Sequence, residues 1–187
     1  MQKEHRTAGI AVAVGAAGAC VLMALTGLFV VYTGAFNVAA TEEHMALTRW
    51  AFDSTLHNAV ERRATDIDGP AEFTPMMIAA GAGDYRAMCE HCHGGPGVDR
   101  AQWASGMRPQ PPHLTEAAAE WEAHQVFWLI KHGIRMSGMP AFGPTHEDQA
   151  LWNIAAMVRE LPGMTAERYA ALGDNHGSAE THNDSTH

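Results

Sequence analysis

The stretch that decides the fold is Cys89-Glu90-His91-Cys92-His93, which has the spacing Cys-x-x-Cys-His. Cysteines three positions apart lie about one helical turn from each other, so both thiols can reach the two vinyl groups of one porphyrin. The histidine that follows is then held beneath the iron as an axial ligand. The spacing therefore predicts one covalently attached haem c, with Cys89 and Cys92 as tethers and His93 as an iron ligand.

Two other kinds of site use a Cys-x-x-Cys pair. A thioredoxin-like redox dithiol is expected beside a βαβ pattern, and the sequence around Cys89 predicts no strands. A structural zinc site takes four ligands, usually from two such pairs, whereas the third cysteine of the chain, Cys20, lies within an apolar run. The sequence therefore favours haem over both.

That apolar run, residues 8–36, carries no charged side chain. As a helix its 29 residues would extend about 44 Å at ~1.5 Å per residue, enough to cross a ~30 Å hydrocarbon core. A cleaved signal peptide would have a shorter apolar core, and Ala17-Gly18-Ala19-Cys20 matches a lipoprotein cleavage box only in part. We expect a retained transmembrane anchor at 8–36, in which Cys20 is a packed or lipid-facing side chain.

Flanking charge predicts the orientation of this anchor. Lys3 and Arg6 lie in the short N-terminal segment, residues 1–7, and the next basic residue is Arg49. The positive-inside rule then predicts a cytoplasmic N-terminus, with the remainder of the chain on the other side of the membrane.

Residues 37–74 are predicted to form a stem helix and a linker. Thr41-Glu42-Glu43 is typical of a helix start, and apolar residues recur after it at roughly helical spacing, which predicts a solvated spacer helix. Trp50 is expected near the membrane interface. The Gly- and Pro-containing stretch 66–75 predicts a hinge or linker.

Residues 75–172 are predicted to form an all-helical haem domain. Thr74-Pro75 predicts the start of a helix that runs through Cys89, and the proline-rich segment 105–115 predicts an extended loop around the haem edge. Apolar periodicity predicts three further helices, with Gly133 capping the first of them. They cover residues 119–132, 145–161 and 165–172.

The sixth ligand of the iron is expected in Ile134-Arg135-Met136-Ser137-Gly138-Met139-Pro140. A thioether is a soft donor that, opposite histidine, favours ferrous iron and raises the potential. Met139 is the predicted ligand because Gly138 and Pro140 form a rigid turn around it. Met136 is the competitor, and His113 or His132 are the histidine alternatives.

These motifs together resemble the class I monohaem cytochromes c, in particular the membrane-anchored bacterial type, over residues 75–172. The resemblance implies an all-α cytochrome c fold in which the first and last helices cross around a single covalent haem. It is carried by Gly81, Tyr85, Cys89, Cys92 and His93, by Gly138-Met139-Pro140-Ala141-Phe142, by Leu151-Trp152, by Pro111-Pro112, and by residues 127–134.

The resemblance also implies that Gly81 and Tyr85 meet Trp152 at the helix crossing. The segment after His93 departs from the family in being short and glycine-rich, and within it the carbonyl of Pro96 is expected to orient the His93 ring. Haem c is attached outside the bacterial cytoplasm in this family, so the haem domain is expected in the periplasm, held at the inner membrane.

Charge narrows the kinds of partner. Residues 8–187 carry ten basic and twenty acidic side chains, a net charge of −10 with neutral histidines, which argues against nucleic acid and for a basic partner surface. Lys131, Arg135 and Arg108 either surround the haem edge or are solvated. The tail, residues 173–187, contains three of the twelve histidines at irregular spacing, which predicts a flexible segment and disfavours a metal site.

The expected function is transfer of single electrons between respiratory donors and a terminal oxidase or reductase, because an iron closed by His93 and Met139 suits outer-sphere transfer. The donors would be a quinol-oxidising complex or a periplasmic dehydrogenase. The alternative is a fixed haem c subunit of a larger membrane oxidoreductase, with Trp50 and Phe52 at the interface. We expect no enzymatic activity of the chain itself, since the sequence shows no distal acid–base pair.

Overall fold

The computed structural model describes residues 2–174, which form two compact units divided after Glu42. Residues 2–174 contain no β-strand beyond an isolated bridge between Gly95 and Val98, so the predicted all-α class is confirmed. The α-helices are α1 (Gln2–Thr33), α2 (Ala46–Ala64), α3 (Pro75–Met88), α4 (Glu90–His93), α5 (Leu114–Ala117), α6 (Ala123–His132), α7 (Asp148–Glu160) and α8 (Ala166–Asp174).

The first unit is built on α1. Its segment Ala8–Thr33 has a mean hydropathy of 2.3 and is long and apolar enough to cross a membrane. The helix ends at Thr33 because Gly34 adopts a left-handed conformation, with φ +67°. The helical part of the predicted anchor is thus three residues shorter than the uncharged run that ends at Phe36.

The second unit begins with α2, and here the predicted helix start is wrong. The helix begins at Ala46, after an extended Met45, and no side chain caps it, although Thr41-Glu42-Glu43 had the composition of a start. Its N-terminal half is exposed, as predicted for a spacer, but its C-terminal half is not. Val60 and Ala64 are fully buried and pack with Leu129 of α6. The spacer interpretation is therefore wrong for this end of α2, which belongs to the core of the second unit.

Helix α3 begins as predicted and crosses α7 at very close range. Thr74 accepts a hydrogen bond from the backbone N–H of Met77, and Pro75 follows it in the first turn. At the crossing, a Cβ atom added to Gly81 would lie only 1.9 Å from the carbonyl oxygen of Asn153. The crossed first and last helices implied by the resemblance are present, and Gly81 is the residue that lets the two backbones meet.

Helix α7 has the predicted apolar stripe and buries Leu151, Ile154, Ala155 and Val158. Its start differs from the prediction. Thr145 donates to the carbonyl of Phe142 and does not cap the helix, which begins at Asp148. The Thr145 hydroxyl therefore bonds within the loop that precedes α7 and is not available to cap the helix.

Helix α6 packs against α7, and Phe127 stacks on Trp152 with ring centroids 4.1 Å apart. It starts at Ala123, four residues after the predicted position, because Glu122 and Gln125 form a reciprocal capping box. The preceding residues form α5 and a 3₁₀ turn, Ala118–Glu120. Gly133 ends the helix with φ +63°, as predicted.

Helix α8 closes the described chain close to its predicted bounds, 165–172. It packs against α3, where the ring of Tyr169 meets that of Tyr85 edge-on at 6.4 Å. The predicted tail, residues 173–187, lies outside the described residues except for the last two positions of α8.

Replacing Gly81 with alanine tests the crossing. The added methyl group would meet backbone atoms of α7, which cannot rotate away, so the cost of overpacking should exceed the ~1 kcal/mol gained in helix propensity. We expect a net loss of about 2 kcal/mol in the free energy of unfolding, measured by urea titration of the detergent-solubilised protein.

Gly106→Ala is the matched control, because a Cβ atom at Gly106 would meet nothing within 4 Å. It should change the free energy of unfolding by less than about 0.5 kcal/mol. Equal stability of the two variants would contradict the close crossing.

Candidate functional site

The Cys-x-x-Cys-His motif folds as a single turn at the end of α3. The backbone N–H groups of Cys92 and His93 both donate to the carbonyl of Cys89, at 3.1 and 3.0 Å. Gly94 then reverses the chain with φ +70°. Both thiols and the imidazole are thus presented by five consecutive residues, and Cys89 packs against the main core of the domain.

The ring of His93 is oriented by Pro112. Its Nδ1 lies 2.8 Å from the carbonyl oxygen of Pro112, and because a carbonyl can only accept, Nδ1 carries the proton. Burial, followed by the charges of Arg100 and His113, lowers the pKa of His93, while the bond to Pro112 opposes this. The ring is therefore neutral, with the lone pair of Nε2 free to bind a metal.

The expectation that Pro96 orients His93 is wrong. Pro96 is only three residues from His93, but the intervening turn carries it elsewhere, and its neighbours Gly95 and Val98 bond to each other at 2.8 and 2.9 Å. The carbonyl comes from 19 residues further along the chain. The signal for it was the Pro111-Pro112 pair, which the sequence analysis assigned only to a loop at the haem edge.

The protonation of Cys89 argues against a redox dithiol. Burial, with smaller contributions from Asp84 and Cys92, raises the pKa of its thiol to about 12. Redox-active cysteines instead have lowered pKa values, because the thiolate is the reactive form. Cys89 has the character of a buried thiol that a thioether bond would consume.

Of the two candidate methionines in the 134–140 loop, Met139 lies inward. It is partly buried and packs against the core clusters of both α7 and α2, whereas Met136 is 78% exposed with φ +63°. The loop is closed by a bond from the backbone N–H of Ile134 to the carbonyl of Met139, at 3.2 Å. The hydroxyl of Ser137 accepts from the N–H of Met139, also at 3.2 Å.

The two histidine alternatives are both exposed. The Nδ1 of His113 would lie 3.3 Å from a Cβ atom added to Gly94, so it is on the same side of the site as His93. His132 faces the ring of Trp128, with centroids 4.9 Å apart. If His93 held a haem iron, a second ligand would have to come from the other side of the haem, which would favour Met139 over His113.

The basic residues near the site have partners of their own. Lys131 pairs with Asp148 at 2.6 Å, and Arg108 donates to the carbonyls of Ser105 and Met107 within its own loop. Arg135 is exposed. Lys131 and Arg108 are thus engaged in local contacts, rather than forming a ring of free cations.

The donor set fits a c-type haem. Two thiols on one turn match two thioether bonds, and a neutral imidazole with its Nδ1–H engaged leaves a single nitrogen for iron. The inward-lying Met139 would offer a soft sulfur of the kind that, with histidine, ligates iron in electron carriers. A haem held there would supply one-electron chemistry at its iron.

Two tyrosines hydrogen-bond to the Cys-x-x-Cys-His turn and to the glycine after it. The sequence predicted neither of these bonds. The hydroxyl of Tyr85 donates to the carbonyl of Gly94 at 2.6 Å, and that of Tyr169 donates to Glu90 at 2.5 Å. Burial raises the pKa of both phenols above 10. Arg86 adds a bond to the Tyr169 carbonyl and lies over its ring. Residues 79 positions apart meet here, so no local pattern could reveal the contact.

A family model matches the part of the chain that contains this site. Residues 77–158 match the family model described as cytochrome C oxidase, cbb3-type, subunit III. The matched segment runs from the first turn of α3 to near the end of α7. It contains Cys89, Cys92, His93 and Met139. No curated protein matches the chain. The match supports a c-type cytochrome domain, and such domains carry covalently bound haem c and transfer electrons.

Tyr85→Phe tests the support of the motif. The change leaves the carbonyl of Gly94 without its partner in a buried position, so we expect a loss of about 1–2 kcal/mol in the free energy of unfolding at pH 7. Tyr32→Phe, at a tyrosine that is 84% exposed, is the control and should be neutral.

Tyr85→Phe also tests how the free energy of unfolding depends on pH. Because the pKa of Tyr85 is higher in the folded than in the unfolded protein, its contribution to the free energy of unfolding is complete below pH 10 and is lost as the pH rises above 10. Urea titrations between pH 9 and 11.5 should show a shallower alkaline decline for Tyr85→Phe than for the parent. Parallel declines in Tyr85→Phe and the parent would contradict the raised pKa of Tyr85.

Proposed function

Taking residues 77–158 as a c-type cytochrome domain, we propose that this chain is a membrane-anchored carrier of single electrons. It would hold one haem c through Cys89 and Cys92, with His93 and Met139 as the two axial ligands. The observation that carries the proposal is the pairing of a fixed, neutral His93 with an inward-lying methionine. An iron closed on both faces suits outer-sphere transfer.

The residues of the chain would perform this function by holding their geometry. The Pro112 carbonyl keeps the Nδ1 proton of His93 in place, which fixes the ring plane and raises the electron donation of the ligand. The thioether of Met139 counters this by favouring the ferrous state. The buried aromatic pair of Phe127 and Trp152 helps the surrounding core to exclude water.

Helix α1 is the proposed anchor. Its apolar segment is long enough to span a membrane, and Lys3 and Arg6 favour a cytoplasmic N-terminus. The haem unit would then face the periplasm of a bacterial inner membrane. There it would receive electrons from a quinol-oxidising complex or a periplasmic dehydrogenase and pass them to a terminal oxidase or reductase.

A second candidate is a fixed haem c subunit of a larger membrane oxidoreductase. Two observations favour it. The matched family model describes an oxidase subunit, and the N-terminal half of α2 exposes large apolar side chains, including Trp50 at 66% and Phe52 at 50%. Such side chains are enriched at protein interfaces.

Replacing Met139 with alanine tests the proposed ligation. Loss of the thioether should open the sixth position of the iron and lower the midpoint potential, so the dithionite-reduced variant should bind carbon monoxide, followed optically. The reduced parent should not bind it.

Met136→Ala is the matched control, since Met136 is exposed in the same loop. It should retain the closed iron and the potential of the parent. Carbon monoxide binding by the parent, or by Met136→Ala alone, would contradict Met139 as the ligand.

Purification in a mild detergent separates the free carrier from the fixed subunit. A free carrier should migrate alone, and only after detergent extraction from the membrane fraction. A complex of constant stoichiometry that survives ion exchange would support the subunit. In that case, changing Trp50 and Phe52 to serine should release the haem protein from its neighbours.

A further inference from the structure

Which residue holds the Pro112 carbonyl in place? The segment Pro109–Pro112 contains three prolines in four positions, and proline has no backbone N–H. Such a segment can be fixed only weakly through its own donors. It must be held mainly through its carbonyl oxygens, by donors that come from elsewhere in the chain.

Two side chains supply these donors. His93 donates to the carbonyl of Pro112 at 2.8 Å, and Arg100 donates through Nη1 to the carbonyl of Pro111 at 2.6 Å. The two accepting carbonyls belong to consecutive residues. Arg100 therefore fixes the peptide group that leads directly into the acceptor of His93.

The loop after His93 places Arg100 at this position. Glycines in left-handed conformations, Gly94 at φ +70° and Gly97 at φ +74°, fold residues 94–98 into a tight turn. The N–H of Ala101 then donates to the carbonyl of His91 at 2.9 Å, which fixes the end of the loop to the Cys89–His93 turn. The guanidinium group is partly buried, and it bonds to the carbonyl next to the one that accepts from the imidazole.

Within residues 2–174, none of the ion pairs joins Arg100 to an acid. A partly buried positive charge close to the imidazole disfavours any further positive charge there, whether on the ring or on a metal bound to it.

We propose that Arg100 is the positioning residue for the His93 ligand, holding the Pro111–Pro112 peptide and adding a positive charge beside the iron site. This role rests on the proposed function, in which His93 Nε2 binds haem iron. An arginine is suited to it because its planar guanidinium reaches the carbonyl with a fixed geometry that lysine does not reproduce.

The test compares Arg100→Lys and Arg100→Gln with the parent, each as the full-length holoprotein in detergent. The first measurement is the solvent exchange rate of the His93 Nδ1 proton, followed by NMR in the reduced, diamagnetic state. Losing a charge-assisted hydrogen bond should speed this exchange roughly tenfold in both variants. If Arg100→Gln does not retain haem, Arg100→Lys carries the measurement.

Two controls separate positioning from general destabilisation. Arg62→Gln removes an exposed charge on α2, and Arg159→Gln removes a different arginine bond to the backbone, the one to the carbonyl of Ala118 at 2.8 Å. Neither should speed exchange at His93 as the Arg100 variants do. Unchanged exchange in both Arg100 variants would overturn the proposal. Equal acceleration in Arg159→Gln would also overturn it, since Arg100 would then be merely structural.

The midpoint potential of the haem tests the proposed effect of the positive charge of Arg100. Arg100→Lys keeps a positive charge near the iron and Arg100→Gln does not, so the glutamine variant should have the lower potential of the two. Equal potentials would overturn the electrostatic part of the role. A parent protein without the optical spectrum of thioether-bound haem would instead contradict the proposed function, which keeps the two failures distinct.

Discussion

The contact between the backbones of α3 and α7 at Gly81 is the constraint on which the rest of the domain depends. Two helices that meet without an intervening side chain have little freedom to slide or rotate, so the end of α3 is fixed relative to α7. The Cys89–His93 turn, which carries the predicted haem attachment, continues directly from that end. Helix α6 packs on α7 through Phe127 and Trp152, and the loop that follows α6 delivers Met139. The two predicted axial ligands are therefore positioned through one crossing.

Around this crossing, the site is stabilised mostly by hydrogen bonds to backbone carbonyls. Tyr85 bonds to Gly94, His93 to Pro112 and Arg100 to Pro111. The segments that receive these bonds are rich in glycine and proline, which disfavour regular helices and so leave backbone carbonyls available to accept. The composition that breaks the helices is thus the same composition that provides the acceptors.

The parts of this arrangement that sequence could predict are the local ones. The Thr74-Pro75 start of α3, the apolar stripe of α7 and the Gly133 cap depend on residues within one or two turns, and all three were predicted correctly. Local signals failed where two of them competed. Thr145 had the composition of a cap but bonded to Phe142, and Glu122 formed a capping box that moved the start of α6.

The contacts that sequence could not predict join distant residues. The Pro112 carbonyl lies 19 positions from His93, and Glu90 lies 79 positions from Tyr169. Nothing in the periodicity of either segment identifies the partner. The acceptor of His93 is a backbone carbonyl, which has no side-chain signature, and the contact of Tyr169 with Glu90 depends on how α8 packs against α3. The ligands Cys89, Cys92 and His93 were predicted from a motif whose spacing is set by one helical turn, whereas their supporting residues depend on the whole fold.

The burial of Val60 and Ala64 within the second unit shortens the segment that connects this unit to α1. Because α2 is part of that unit, only residues 34–45 connect it to α1. With α1 as the proposed anchor, twelve residues can extend at most about 43 Å, at ~3.6 Å per residue. That length would limit how far from the membrane the proposed carrier could dock. A membrane-bound partner within reach would meet it at a high effective concentration, whereas a soluble partner would have to come to the membrane to meet it.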